Sequence, residues 1–153
     1  MVDSAFDKEA FMHTETEAAM ETKFTPVPEG EYNAYIEDVE ADTIKTDDGN
    51  KPVLQINYTI TDEPLKELMD MERVIVRQTV WLDFEEDGTL AFGQNKNVRL
   101  GLIRDAVGQN EDGASWSPAM LKGGGPVVIK VGHRYNKVTD EGPYPTVQRI
   151  TSG

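Results

Sequence analysis

The sequence contains no cysteine and only two histidines, His13 and His133, which lie far apart along the chain. The absence of thiols excludes a disulfide scaffold, a cysteine-ligated zinc site and thiol catalysis. Two separated histidines also exclude a histidine-rich metal cluster within one copy. The sequence therefore predicts neither a metal nor a cofactor.

Long apolar runs are missing as well. The longest strongly apolar stretches fall far short of the ~20 residues that a membrane-spanning helix needs. The N-terminus has neither the basic start nor the apolar centre of a secretory signal. A chain of 153 residues with this composition is expected to be a soluble, non-secreted, single-domain protein with no membrane partner.

Basic residues are outnumbered: 15 Lys and Arg stand against 28 Asp and Glu, a net charge of −13. Such a charge argues against nucleic acid, because binding a polyanion requires a basic surface. However, the segments 73–82, 96–104 and 122–137 contain no acidic residue. Together they hold nine bases: Arg73, Arg77, Lys96, Arg99, Arg104, Lys122, Lys130, Arg134 and Lys137. The protein can therefore be acidic overall and still present one basic face.

The two ends of the sequence differ in character. Residues 1–22 hold six acids and a single lysine, and this composition predicts an acidic, disordered arm. Residues 23–153 are predicted to form the folded domain. Pro26 and Pro28 favour an extended lead-in to that domain.

Hydrophobic periodicity predicts five strands and one main helix. Alternation begins at Glu31, a tight turn is expected at 46–50, and further strands are predicted at 53–61, 73–84, 126–135 and 146–150. Helical spacing over 98–107 lies between the third and fourth strands. This order predicts a mainly β protein, a five-stranded OB-fold-like barrel with a helix between the third and fourth strands. A β-sandwich with one helix is the alternative.

The predicted third strand carries the first candidate binding residues. Its alternation places Arg73, Arg77 and Trp81 on the face opposite the core. Guanidinium groups can hold phosphates and a flat ring can stack on a base, which is the chemistry of a single-strand binder. The alternative is that Trp81 packs under the helix while the arginines pair with nearby acids.

The fourth strand and the closing hairpin add compatible groups. Lys130 and Arg134 are expected to face outwards on the fourth strand. Tyr135 and Lys137 follow where that strand runs into its loop, and Tyr144 and Arg149 on the closing hairpin could line the same groove. The full set of predicted DNA-binding residues is Arg73, Arg77, Trp81, Lys130, Arg134, Tyr135, Lys137, Tyr144 and Arg149.

Enzyme motifs are not found. The serines lie outside any G-x-S-x-G elbow, and the glycine-rich segment 121–126 precedes a strand and lacks the ending of a phosphate-binding loop. Segment 83–94 has calcium-loop spacing at its start, but Gln94 stands where an EF-hand needs a bidentate glutamate. We interpret that segment as a hairpin-type turn and the protein as non-catalytic.

Several segments taken in order resemble phage-encoded single-stranded DNA-binding proteins of the OB-fold type. These are FTPVPEGEYNAYIEDVE, DDGNKPVLQINYTITDE, RQTVWLDF, NVRLGLIRDAVG and LKGGGPVVIKVGHRYN, and the similarity covers roughly residues 24–150. The resemblance implies largely sequence-independent binding of single-stranded DNA in support of phage DNA replication or recombination, in the cytoplasm of the host bacterium.

The chain departs from that family in one respect. Members commonly carry an acidic C-terminal tail that recruits partners, whereas this chain ends TVQRITSG and has its acidic arm at the N-terminus. The arm could engage phage or host replication and recombination proteins, compete for the basic groove, or keep the protein soluble. A phage structural or assembly protein with a β-barrel or sandwich interaction domain is the alternative function.

Overall fold

The structure is a computed structural model and describes residues 6–21, 25–139 and 142–153. Its elements, in chain order, are α1 (Lys8–Met12), β1 (Gly30–Thr46), β2 (Gly49–Ile60), α2 (Glu63–Met69), β3 (Val74–Trp81), α3 (Val98–Ala106), a 3₁₀ helix (Pro118–Leu121), β4 (Val127–Arg134) and β5 (Tyr144–Ser152). The protein is mainly β, as predicted, and α3 lies between the third and fourth strands.

All five strands belong to one antiparallel sheet in the order β3-β2-β1-β4-β5. The long strand β1 is central, pairing with β2 over residues 34–46 and with β4 over residues 30–34. The edge strands β3 and β5 approach each other, with Cα atoms within 8 Å. They share no hydrogen-bonded ladder among the residues that the structure describes.

The prediction of a barrel is therefore wrong in this respect: the sheet is not closed. Two features of β5 oppose the formation of a hydrogen-bonded ladder with β3. Pro145 has no N–H to donate to a ladder, and a β-bulge interrupts the β4–β5 register between Val147 and Arg149. A seam consequently remains between the two edge strands.

Strand alternation builds the core on one face of the sheet. Along β3, the even-numbered residues 74–80 are buried, whereas Ile75, Arg77 and Trp81 are exposed. Buried apolar residues of all five strands join Leu100, Ile103 and Leu121 in one cluster. The face of the sheet opposite the core is exposed along β3 and is therefore accessible to a ligand.

The core contains one buried polar pair. The Tyr58 hydroxyl donates to the Gln78 side-chain oxygen at 2.6 Å, and both residues are buried. Burial raises the pKa of the Tyr58 phenol above its ordinary value, because the ionised form would lose its hydration. The bond therefore joins neutral groups and ties β2 to β3.

The end of β3 differs from the predicted strand, which extended to residue 84. The chain turns at Asp83, whose amide donates to the Asn97 side chain at 2.8 Å, while the Asn97 amide donates back to the Asp83 carboxylate at 2.9 Å. Between these residues, a bridge from Phe84 to Leu90 closes the hairpin-type turn expected at 83–94. These two hydrogen bonds fix the start of α3 beside the end of β3.

The acidic N-terminal segment contains the short helix α1. Asp7 caps it, accepting hydrogen bonds from the amides of Glu9 and Ala10 at 3.1 and 3.2 Å. No residue of α1 is buried. The predicted domain boundary at residue 22 lies outside the described residues. In the part of the chain that the structure describes, no helix has the length and apolar character needed to span a membrane.

Candidate nucleic-acid interface

A groove of about 620 Å³ lies along the seam between β3 and β5. We call it the seam groove. It is lined by Ile44, Arg77, Gln78, Thr79, Trp81, Arg99, Arg134 and the β5 segment 145–148. Residues from five elements therefore meet at one surface.

Three arginines reach the seam groove from different elements. Arg77 lies on the exposed face of β3, Arg99 on the first turn of α3, and Arg134 at the end of β4. All three are exposed, and none has an ion-pair partner within residues 6–21, 25–139 and 142–153. The Arg77 Nε donates to Asn57 Oδ1 at 3.1 Å, which holds its stem against the sheet.

Among the residues that the structure describes, the lining of the seam groove contains no aspartate or glutamate. This is notable in a protein of net charge −13, because acids outnumber bases almost two to one. On the outer face, β1 places Asp38, Glu40 and Asp42 across β2 from Arg77, Thr79 and Trp81 respectively, two strand spacings or about 10 Å away. Solvent-exposed charges at that separation are largely screened at physiological ionic strength, so the acids of β1 weaken the attraction of the groove arginines for a phosphate only in part.

Trp81 supplies the aromatic surface of the groove. It is the last residue of β3, pairs with Val53 of β2, and is 52% exposed. The other tryptophan is occupied by the protein itself: the Trp116 indole donates to Gln109 at 2.9 Å, and the Arg104 guanidinium lies 4.1 Å from its ring centroid. Trp81 is thus the tryptophan available for stacking.

Three of the predicted DNA-binding residues line the groove together: Arg77, Trp81 and Arg134. Arg73 and Arg149 do not line it, since each forms an ion pair with an acid of β1, Glu37 and Glu31 respectively. Pairing of arginines with acids, the alternative weighed from the sequence, applies to these two residues.

Lys130, Tyr135, Lys137 and Tyr144 also lie outside the groove lining. Lys130 is exposed on β4 between Glu31 and Arg149 of the neighbouring strands. Tyr135 and Lys137 are exposed in the segment after β4. Tyr144 pairs with Arg134 and lines an adjoining apolar cavity, which meets the seam groove at Pro145.

Arg99 is the basic residue of the described groove lining that is missing from the predicted set. It belongs to the acid-free segment 96–104, so the sequence did contain a signal. What the sequence did not show is that the Asp83–Asn97 bonds bring the first turn of α3 to the end of β3.

The groove has the chemistry of a binding surface. Its polar side chains are cationic, amide and hydroxyl groups beside the Trp81 ring, and the described lining holds no carboxylate or histidine to act as an acid or base. Over the described ranges no group of three or more histidines and carboxylates is placed to hold a metal ion. No protein-family model matches the chain, and no curated protein matches it.

Proposed function

We propose that the protein is a non-catalytic, largely sequence-independent single-stranded DNA-binding protein whose binding surface is the seam groove. One observation carries the proposal: Arg77, Arg99 and Arg134 line the same groove as Trp81, and the described residues of that lining include no carboxylate. The cations meet the phosphates, and the indole accepts an unpaired base.

The arrangement favours a single strand over a duplex. A base can stack on Trp81 only if its face is not already covered by neighbours within a double helix. Stacking and phosphate contacts are available to every base, so little sequence preference is expected. Arg77 and Trp81, four residues apart on one strand face, are separated by about 13 Å along β3.

The fold proposed for this function is an OB-fold whose seam is open. Its support is the pairing pattern: β1 contacts both β2 and β4, β3 follows β2 at one edge, β5 follows β4 at the other, and α3 lies between β3 and β4 in sequence. OB-folds bind oligonucleotides and cover about 4–16 nucleotides each. The groove lies where the final strand pair of a closed barrel would form.

The test is a fluorescence titration with oligo-dT. DNA is expected to quench tryptophan emission in the wild type; because Trp81→Ala removes the reporter itself, the affinity of that variant is measured by the fluorescence anisotropy of labelled oligo-dT. Loss of one stacked base costs about 1–3 kcal/mol, or about 5- to 150-fold in affinity.

The matched control is Phe92→Ala, since Phe92 is also an exposed aromatic but does not line the seam groove. It should bind oligo-dT like the wild type. A Trp81→Ala protein that melts normally and keeps wild-type affinity would overturn the assignment of the groove.

The biological setting proposed is phage DNA replication or recombination in the host cytoplasm, with the acidic arm available to partner proteins. Its support is the resemblance of residues 24–150 to the phage family. If the wild type ignores oligo-dT even at low salt, the alternative of a phage structural or assembly protein is favoured instead.

A further inference from the structure

One polar side chain of the seam groove is buried. Gln78 lines the groove, yet only 6% of it is exposed, and of the polar and charged residues that the structure describes it alone is buried. It lies on the core-facing side of β3. It can be reached from outside because, in the described part of the chain, no strand pairs with β3 along the seam.

The orientation of the Gln78 amide is fixed by Tyr58. Because burial raises the pKa of the Tyr58 phenol, the phenol keeps its proton, and a buried hydroxyl needs an acceptor. That acceptor is Gln78 Oε1 at 2.6 Å, the one hydrogen-bond partner of this hydroxyl within residues 6–21, 25–139 and 142–153. Turning the amide over would leave the phenol proton without an acceptor. The oxygen is therefore held against Tyr58, and the NH2 group is directed away from it.

The NH2 group of Gln78 is an unused hydrogen-bond donor. It forms no hydrogen bond to any described residue. Among the described side chains, Thr59 Oγ1 is the only polar atom that is both buried and unpaired, so Gln78 Nε2 must still reach solvent. Since Gln78 lines the seam groove, the solvent that it reaches is in that groove.

The groove therefore has cations at its rim and an amide donor at its floor. Arg77, Arg99 and Arg134 are exposed, whereas Gln78 is buried. A strand whose phosphates lie on the arginines can turn its bases inwards, and the edge that then lies deepest is the one furthest from the sugar. That edge carries a keto oxygen in thymine and guanine and an amino group in cytosine and adenine.

We propose that Gln78 is a specificity-determining residue of the seam groove, and that its NH2 group donates a hydrogen bond to the keto oxygen of a base. A keto oxygen accepts this bond, whereas an amino group presents a second donor and leaves both groups unpaired. Strands of keto bases should therefore bind more tightly than strands of amino bases. One hydrogen bond is worth about 2- to 12-fold in affinity, so binding stays largely sequence-independent. The inference rests on the proposed function.

Gln148 provides a comparison within the same groove. It lies at the β5 bulge, lines the groove and is exposed. No hydrogen bond to a described residue holds its amide, so the amide can turn and offer either its oxygen or its NH2 group to a base. Gln148 is therefore not expected to distinguish keto from amino bases.

Anisotropy titrations with labelled oligo-dU and oligo-dC test the inference. Both bases are pyrimidines, and uracil carries the keto O4 where cytosine carries an amino group. The wild type should bind oligo-dU about 2- to 12-fold more tightly than oligo-dC.

The informative variant combines Gln78→Met with Tyr58→Phe. It removes the donor together with the phenol proton, so neither partner is left buried and unpaired and the fold should be retained. Any difference in stacking between the two bases persists in this variant. The affinity ratio of oligo-dU to oligo-dC should therefore fall by the whole contribution of Gln78. The matched control is Gln148→Met, which should keep the wild-type ratio.

A second measurement leaves the protein unchanged. A strand of 4-thiothymine has sulfur in place of the keto O4 of thymine, and sulfur is a weak hydrogen-bond acceptor. The wild type should bind this strand more weakly than oligo-dT by a similar factor.

The outcomes separate the inference from the proposed function. If the wild type binds neither oligo-dU nor oligo-dC, the proposed function fails and the inference fails with it. If it binds both with the same affinity, or if the double variant keeps the wild-type ratio, single strands bind but Gln78 does not select the base. Loss of the ratio in Gln148→Met, or equal affinity for oligo-dT and the 4-thiothymine strand, would likewise overturn the inference alone.

Discussion

Removing the arginines of the seam groove should change the salt dependence of DNA binding by a calculable amount. For single strands, log K falls with log salt by about 0.7 for each phosphate neutralised. If Arg77, Arg99 and Arg134 each neutralise one phosphate, they contribute a slope of about −2.1. This corresponds to about 18-fold weaker binding between 50 and 200 mM salt.

Each single substitution, Arg77→Ala, Arg99→Ala or Arg134→Ala, should reduce the slope by about 0.7 and the loss over that salt range to about 7-fold. Fluorescence anisotropy of labelled oligo-dT at the two salt concentrations measures both quantities. The matched controls are Arg73→Ala and Arg149→Ala, since these arginines form ion pairs with Glu37 and Glu31.

The controls should keep the wild-type slope. Melting curves from circular dichroism should show that all five variants remain folded, because every substituted side chain is exposed. If none of the three groove variants lowers the slope, or if the two controls lower it equally, the phosphates do not lie in the seam groove.

Further predictions concern the supports of the fold. Tyr58→Phe leaves the buried Gln78 oxygen without its donor and should cost about 1–3 kcal/mol, measured by urea denaturation; an unchanged midpoint would contradict the pairing. Gly101→Ala should stabilise the protein by about 0.5–1 kcal/mol, because the site is helical and a Cβ meets no neighbour; early melting would contradict this. The Thr89 hydroxyl and amide donate to the Asp87 carboxylate at 2.6 and 3.0 Å, and these hydrogen bonds lower the pKa of Asp87. The bonds therefore stabilise the fold at pH values above the ordinary pKa of an aspartate. This contribution is lost as the pH falls through the lowered pKa of Asp87. Thr89→Val should raise the pKa of Asp87 in an NMR titration, and an unchanged pKa would contradict it.

Local patterns predicted much of the fold. Alternation along β3 assigned Val74, Val76 and Val80 to the core and Arg77 and Trp81 to the opposite face, as observed. Periodicity depends on neighbouring residues alone, so it can be seen in the sequence.

The open seam could not be predicted in the same way. Closure of a barrel depends on whether two strands distant in sequence form a ladder, and here a proline and a bulge on β5 oppose it. The last three residues of the strand predicted at 73–84 were also wrong, because β3 ends at Trp81. The turn at Asp83 depends on hydrogen bonds to Asn97, which lies fourteen residues later in the sequence.

In the candidate site, too, local patterns could be predicted from the sequence and contacts between distant residues could not. Sequence selected arginines by their outward register, but register does not reveal which acids lie across the sheet. Arg73 and Arg149 therefore appeared equivalent to Arg77 and Arg134, although the former pair is neutralised by glutamates of β1. Charge pairing across strands decided which bases remain available.

An NMR titration of the labelled protein with oligo-dT, which observes arginine Nε–H and tryptophan indole resonances, shows directly whether single strands bind in the seam groove. The signals of Arg77, Arg99, Arg134 and Trp81 are expected to move together as DNA is added. Signals of Trp116, which is bonded within the protein, should stay fixed. Shifts confined to other bases, or no shift at any groove residue, would contradict the assignment of the seam groove as the site that binds single strands.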